Sequence, residues 1–222
     1  RAKKANISTV VCSKKILGAD FEDTLIEVLE DNEIDKLDIS KEELKSKIKR
    51  VLITKEEIDE AIVRAGKEID KLYDGRPILL VSILKGAFVF MADLCRAVSV
   101  PCEIGFMCAK SYYAGTSSSG VVQITMDLEQ DISNYHVVIV EDIIDTGRTL
   151  NDVVSMLKAR NPISLKVVTL LDKPSRRVVD FKADISLFEI PDYFVVGYGL
   201  DCGEHYRNLP YIAEYNSGKE EE

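Results

Sequence analysis

The stretch Val137-Val138-Ile139-Val140-Glu141-Asp142-Ile143-Ile144-Asp145-Thr146-Gly147-Arg148-Thr149-Leu150 decides how the rest of the chain is read. Its first four residues are apolar and β-branched, and such an unbroken run marks a strand buried on both faces, as in a parallel sheet. Two adjacent carboxylates, Glu141 and Asp142, stand near the C-terminal end of that strand, the edge at which open α/β sheets bind ligands. Thr146, Gly147 and Thr149 come next, just before a helical pattern. Backbone N–H groups and hydroxyls at a helix N-terminus suit a phosphate. Three carboxylates beside an anion site make sense if Mg2+ or a developing positive charge sits between them. A plainer reading has Asp145 and Thr146 capping the helix and Glu141-Asp142 as solvated strand-end acids. A receiver-type phosphoacceptor domain would also place acids there, but it does not call for the Thr-Gly-x-Thr loop.

Working outward, strands and helices alternate. Ile78–Leu84 is a second continuous apolar run, followed by Lys85-Gly86 and a helical pattern over Ala87–Val98. Strand patterns cover Glu103–Cys108, Val121–Met126 and Leu165–Leu171, with a helix over 149–159. The alternation predicts an α/β fold, a parallel twisted sheet flanked by helices. Upstream, Thr54 and Glu57 have capping-box spacing before a long helix that Asp74-Gly75-Arg76-Pro77 stops. Ser40 and Glu43 repeat the capping signal before Leu44 and Ile48, so residues 20–50 read as one or two short helices. Residues 184–215 do not join the alternation and are expected to form a small separate cap, or hood. The expected division is an N-terminal extension over 1–50, partly disordered or helical, and a main domain over 51–222.

The 222 residues carry 29 Lys+Arg against 38 Asp+Glu, a net charge of −9. That balance argues against a nonspecific nucleic-acid surface, which needs surplus cations. It does not argue against a small phosphorylated ligand held by backbone amides or a metal. No apolar tract is long enough for a membrane span, so a soluble chain is expected. Charge is segregated: residues 1–19 carry only bases (Arg1, Lys3, Lys4, Lys14, Lys15), whereas 20–60 are strongly acidic. A cytoplasmic setting is expected, or an organelle such as a plastid if the basic start is a targeting remnant. Cys12, Cys95, Cys102, Cys108 and Cys202 are odd in number and lack a C-x-x-C, against a disulfide framework or zinc site. Only His136 and His205 are present, and His136, opening a strand, reads as structural.

With these residues in view, the 137–150 stretch resembles the phosphoribosyl-diphosphate signature of the type I phosphoribosyltransferases. Separate motifs in the same order extend the resemblance over roughly 50–213, toward members that act on 6-oxopurines. The resemblance implies the following roles. Glu141 and Asp142 address the ribose hydroxyls and, with pyrophosphate, a Mg2+ ion. Asp145 is the general base near the purine N7, and Thr146, Gly147, Arg148 and Thr149 form the 5′-phosphate loop. Lys85-Gly86 is the pyrophosphate loop, often with a cis peptide. Ser111 and Tyr112 begin a mobile loop. Lys173 meets the purine 6-oxo group, Phe194 stacks on the base and Val195 contacts its edge. Asp201 is a ligand of a second Mg2+, and Arg207 meets pyrophosphate. Ala87 and Cys202-Gly203 depart from the family pattern.

The implied reaction is purine salvage: Mg2+-dependent transfer from phosphoribosyl diphosphate to hypoxanthine or guanine, in a homodimer or homotetramer. A xanthine-specific sibling, or a regulator of the same fold that binds RNA or DNA, are the alternatives.

Overall fold

A computed structural model of the chain describes residues 41–112 and 121–216. Packing divides the chain into two units, Arg1–Lys45 and Ser46–Glu222. Of the first, only Lys41–Lys45 are described, within the short helix α1 (Lys41–Ser46). The other expectations for residues 1–40 lie outside the described residues.

The elements that follow are β1 (Ile48–Ile53), α2 (Lys55–Tyr73), β2 (Ile78–Leu84), α3 (Phe88–Ala97), β3 (Cys102–Tyr112) and β4 (Val121–Met126). After them come β5 (His136–Ile144), α4 (Arg148–Lys158), β6 (Ser164–Asp172), β7 (Ile185–Glu189), β8 (Val195–Val196) and β9 (Ile212–Tyr215).

The expected capping box is present. Thr54 Oγ1 accepts from the Glu57 N–H at 3.3 Å, and Glu57 Oε2 accepts from the Thr54 N–H at 2.8 Å. α2 ends where Asp74 adopts φ 48°, at the predicted stop.

The main sheet has six strands in the order β4-β3-β2-β5-β6-β7. All neighbours are parallel except β4, which runs antiparallel to β3. Its centre shows why β2 and β5 read as unbroken apolar runs. Leu80 and Val138 enter the core beneath α2 and α3, and Leu79, Val81, Val137 and Ile139 the core beneath α4. Alternate side chains leave opposite faces of a strand, and both faces here are dry. His136 is structural: its ring lies 5.4 Å from Tyr73 and its Nδ1 2.8 Å from Ser164 Oγ.

The chain leaves β2 through α3 toward β3 on one side, and leaves β5 through α4 toward β6 on the other. The C-terminal ends of β2 and β5 therefore flank a topological switch point, where such sheets open a crevice.

Two expectations need correction. Residues 185–189 do not belong to a separate cap, because β7 extends the main sheet beside β6, with Val168 paired to Ile185. The hood is a three-stranded antiparallel sheet, β1-β9-β8. Its first strand contains Ile48, which therefore lies in a strand and not in the upstream helix. Residue 50, the boundary expected from the sequence, falls inside β1. What joins β1 to the hood is charge as well as pairing. Glu214 on β9 is buried and accepts from Lys49 Nζ and Arg50 Nε, both at 2.8 Å. The two cations hold the Glu214 carboxyl below its usual value, Lys49 first.

Candidate active site

At the switch point a cleft of about 260 Å³ is lined by Gly86, Glu141, Asp142, Asp145, Thr146 and Thr149 among others. β5 carries the acidic pair. Glu141 Oε2 is buried with no hydrogen-bond partner. Burial, then the charge of Asp142, pushes the Glu141 carboxyl well above its usual value. Asp142 is raised too, first by burial and also by nearby Asp201, against the lowering pull of its bond from the Ile143 N–H and of Arg207. A half-buried pair of this kind, with one fully covered and orphaned oxygen, fits a cation or a set of hydroxyl donors better than it fits an empty interior.

Gly86 is required by contact with this pair. A Cβ there would lie 1.5 Å from Asp142 Oδ2. A cis peptide joins Leu84 to Lys85, one bond ahead of the Lys85-Gly86 pair. On the far side, Gly199 packs so closely that a Cβ there would lie 2.0 Å from the Gly86 carbonyl oxygen.

The phosphate-loop expectation falls on the start of α4. Gly147 is its N-cap residue at φ 80°, a left-handed conformation that residues other than glycine rarely adopt, and it brings no side chain of its own to cap the helix. The Arg148 N–H approaches Thr146 Oγ1 at 3.5 Å. An uncapped helix start with its N–H groups turned to a cleft is an anion site in form.

The other expected residues do not line that cleft; Lys173 lies at the end of β6, and Phe194 and Val195 lie at the hood strand β8. Lys173 follows β6, is only 7% exposed, and places Nζ 3.6 Å from Asp192 Oδ1. Phe194 is 53% exposed, with its ring 5.6 Å from that of Tyr215, and Val195 beside it is buried in β8. Arg207 Nη1 donates to the Gly199 carbonyl at 2.8 Å, and Nη2 lies 2.9 Å from Asp201 Oδ1. Ser111 and Tyr112 are strand residues, paired with Val122 and Val121. The remainder of the expected mobile loop, 113–120, lies outside the described residues.

Sequence reasoning missed several partners. Arg176 Nε donates to Asp145 Oδ1 at 3.1 Å, and its Nη1 lies 3.5 Å from Asp192 Oδ2. Arg177 donates to the Asp145 carbonyl at 2.9 Å and pairs with Asp172. Its stem also fills the space beside Gly147, where a Cβ would meet Arg177 Cδ at 3.1 Å. These two arginines brace the 145–147 loop from below. The signal was the pair Arg176-Arg177 three residues beyond Lys173, at the same sheet edge.

The fold and this edge define a class, which the comparisons then establish. The family model for the phosphoribosyl transferase domain matches residues 48–202, and the chain belongs to that family. It is 51% identical over 170 residues to the hypoxanthine-guanine phosphoribosyltransferase of Streptococcus pneumoniae, covering 77% of this chain and 94% of that protein. It is 49% identical over 166 residues to the hypoxanthine phosphoribosyltransferase of Salmonella typhimurium, covering 74% of this chain and 93% of that one. A crystal structure of a hypoxanthine phosphoribosyltransferase from Staphylococcus aureus superposes with a TM-score of 0.75 at 46% identity, over 78% of this chain and 94% of that chain.

Proposed function

We propose that the chain is a purine salvage enzyme. It transfers the 5-phosphoribosyl group of phosphoribosyl diphosphate to N9 of hypoxanthine or guanine, giving IMP or GMP and pyrophosphate. One observation carries this reading: a half-buried acidic pair with an orphaned oxygen and the start of α4 line one cleft, and Lys85 and Arg207 meet a common carboxylate nearby.

Each group has a task. The N–H groups at the start of α4, with Thr146 and Thr149, bind the 5′-phosphate, and Arg148 flanks them. Glu141 and Asp142 accept from the ribose hydroxyls and stabilise the cationic ribose as its bond to pyrophosphate lengthens. Lys85 and Arg207 bind the departing pyrophosphate. Asp145 accepts the proton at purine N7. Lys173 donates to the 6-oxo oxygen and so disfavours adenine, whose 6-amino group is itself a donor. Phe194, with an open face, stacks on the base, and the Val195 backbone meets its edge. Ser111 and Tyr112 root a loop that closes over the centre and excludes water, which would otherwise capture the ribosyl cation.

The acidic groups fit Mg2+. Glu141 and Asp142 would hold one ion and Asp201 a second, since among the described residues no three such side chains form a single metal cluster; bound there, the ions would supply positive charge to the leaving group. Few protein ligands are needed, because Mg2+ keeps waters and substrate oxygens in its shell.

The same reading includes a homodimer or homotetramer in the cytoplasm. Exposed Ile104, Phe106 and Met126 lie on one face of β3 and β4, which supports assembly. Free Cys95, Cys102, Cys108 and Cys202 suit a reducing compartment.

The test is pyrophosphate release with phosphoribosyl diphosphate and Mg2+ against hypoxanthine, guanine, xanthine and adenine. Turnover of hypoxanthine or guanine and none of adenine is expected; silence with all four overturns the reading. In the same assay Asp145→Asn lowers turnover by about 10²–10⁴-fold. Wild-type turnover in that variant removes Asp145 from its role.

A further inference from the structure

The two cations assigned to pyrophosphate already share an anion, and it comes from the protein itself. Lys85 Nζ lies 3.1 Å and Arg207 Nη2 3.3 Å from one oxygen, Glu204 Oε2. The lysine follows β2 and the glutamate sits in the segment before β9, 119 positions away.

The backbone presents this carboxylate deliberately in a tight turn. Cys202 and His205 exchange N–H···O bonds of 3.3 and 3.2 Å, which leaves Gly203 and Glu204 as the two central residues. Both have positive φ, 61° and 70°. A two-residue turn of this hand needs positive φ at both positions and favours Asn or Gly there, so a glutamate stands against local preference. The turn is tied to the site as well, because the Glu204 N–H donates to Asp201 Oδ2 at 2.9 Å.

We infer that Glu204 is an internal placeholder of the leaving-group subsite, its carboxylate occupying Lys85 and Arg207 until pyrophosphate takes its place. This rests on the function proposed above. A carboxylate offers the same kind of acceptor oxygens as a phosphate but less charge. The Lys85 and Glu204 side chains are 66% and 64% exposed, where water screens the pair. The contact is therefore weak enough to yield to a polyanion. Its release opens the subsite, and its return helps expel the product.

The variant Glu204→Gln keeps the size of the side chain and removes its charge. We expect the KM for phosphoribosyl diphosphate and the inhibition constant of magnesium pyrophosphate each to fall about threefold at low ionic strength, the scale of one exposed ion pair. The difference shrinks in high salt. The dissociation constant of IMP, which has no group for this subsite, stays within about twofold of wild type by the same scale. Glu204→Asn, a residue suited to the turn, gives the same pattern, so charge and not turn shape is responsible. Unchanged or raised constants for both pyrophosphate ligands overturn the inference. An IMP constant that moves in step with them also overturns it, since that marks a structural lesion. A wild-type protein with no turnover on any base refutes the function itself, and this inference with it.

Discussion

Glu141 Oε2 is buried without a partner, and Asp142 adjoins it with Asp201 nearby. Burial pushes the Asp142 carboxyl up to about 6, from an ordinary value near 4. A carboxyl raised in the folded state binds its proton more tightly there than in the unfolded chain. Its contribution to stability is therefore lost as pH rises from about 4 through about 6, and the ionised group opposes folding above that. Asp142→Asn should raise the stability of the ligand-free protein at pH 7.5 by about 1–2 kcal/mol, or about 2–8 °C in Tm. The gain should fade toward pH 4, while binding of phosphoribosyl diphosphate weakens sharply. Calorimetry across that pH range checks it, and a lower Tm at pH 7.5 with binding retained would sink it. These acids were legible because an apolar strand states where its own end lies. Arg176, Arg177 and Glu204 were not, because Asp145 and Lys85, the partners that tie them to the site, lie 31, 32 and 119 positions away, and the adjacent arginines alone do not say what they meet.

Elements whose signals are local were legible in full. The capping box at Thr54 and Glu57, the buried runs of β2 and β5 and the stop at Asp74 each need only their own neighbours in sequence. β7 was misread because Ile185–Glu189 is a half-exposed edge strand without a continuous apolar run. β1 was misread because Lys49 and Arg50 interrupt its apolar pattern, and their partner Glu214 is 165 and 164 positions away. The capping box can be tested alone. Thr54→Ala removes the hydroxyl that accepts from the Glu57 N–H and should cost about 1 kcal/mol. That is about 2–4 °C in Tm for a domain of this size, with the KM values untouched. An unchanged melting curve would mean that packing of Ile58, Ile62 and Ile69 alone fixes the start of α2.

For the molecule as a whole, the question is where the transferase begins. The family match starts at residue 48, and packing separates Arg1–Lys45 from Ser46–Glu222. A chain of residues 46–222 should therefore melt within about 2 °C of the full protein, the size of an effect below 1 kcal/mol, and release pyrophosphate at the same rate. A chain of residues 54–222 differs from it by little more than β1, and should fare much worse. Without β1 the Glu214 carboxylate loses both Lys49 and Arg50, and β9 loses a paired strand. The hood is then a two-stranded ribbon, which is marginal in water. Arg50 also lies 5.2 Å from the centre of the Tyr193 ring, next to Phe194, so the damage reaches the base subsite first. The KM for the purine should rise before that for phosphoribosyl diphosphate, whose proposed 5′-phosphate and ribose groups follow and end β5 on the main sheet. Equal stability and kinetics for the two truncated chains would show that β1 is dispensable. Loss of activity on removing only residues 1–45 would show instead that the segment upstream of Ser46 takes part in the working enzyme.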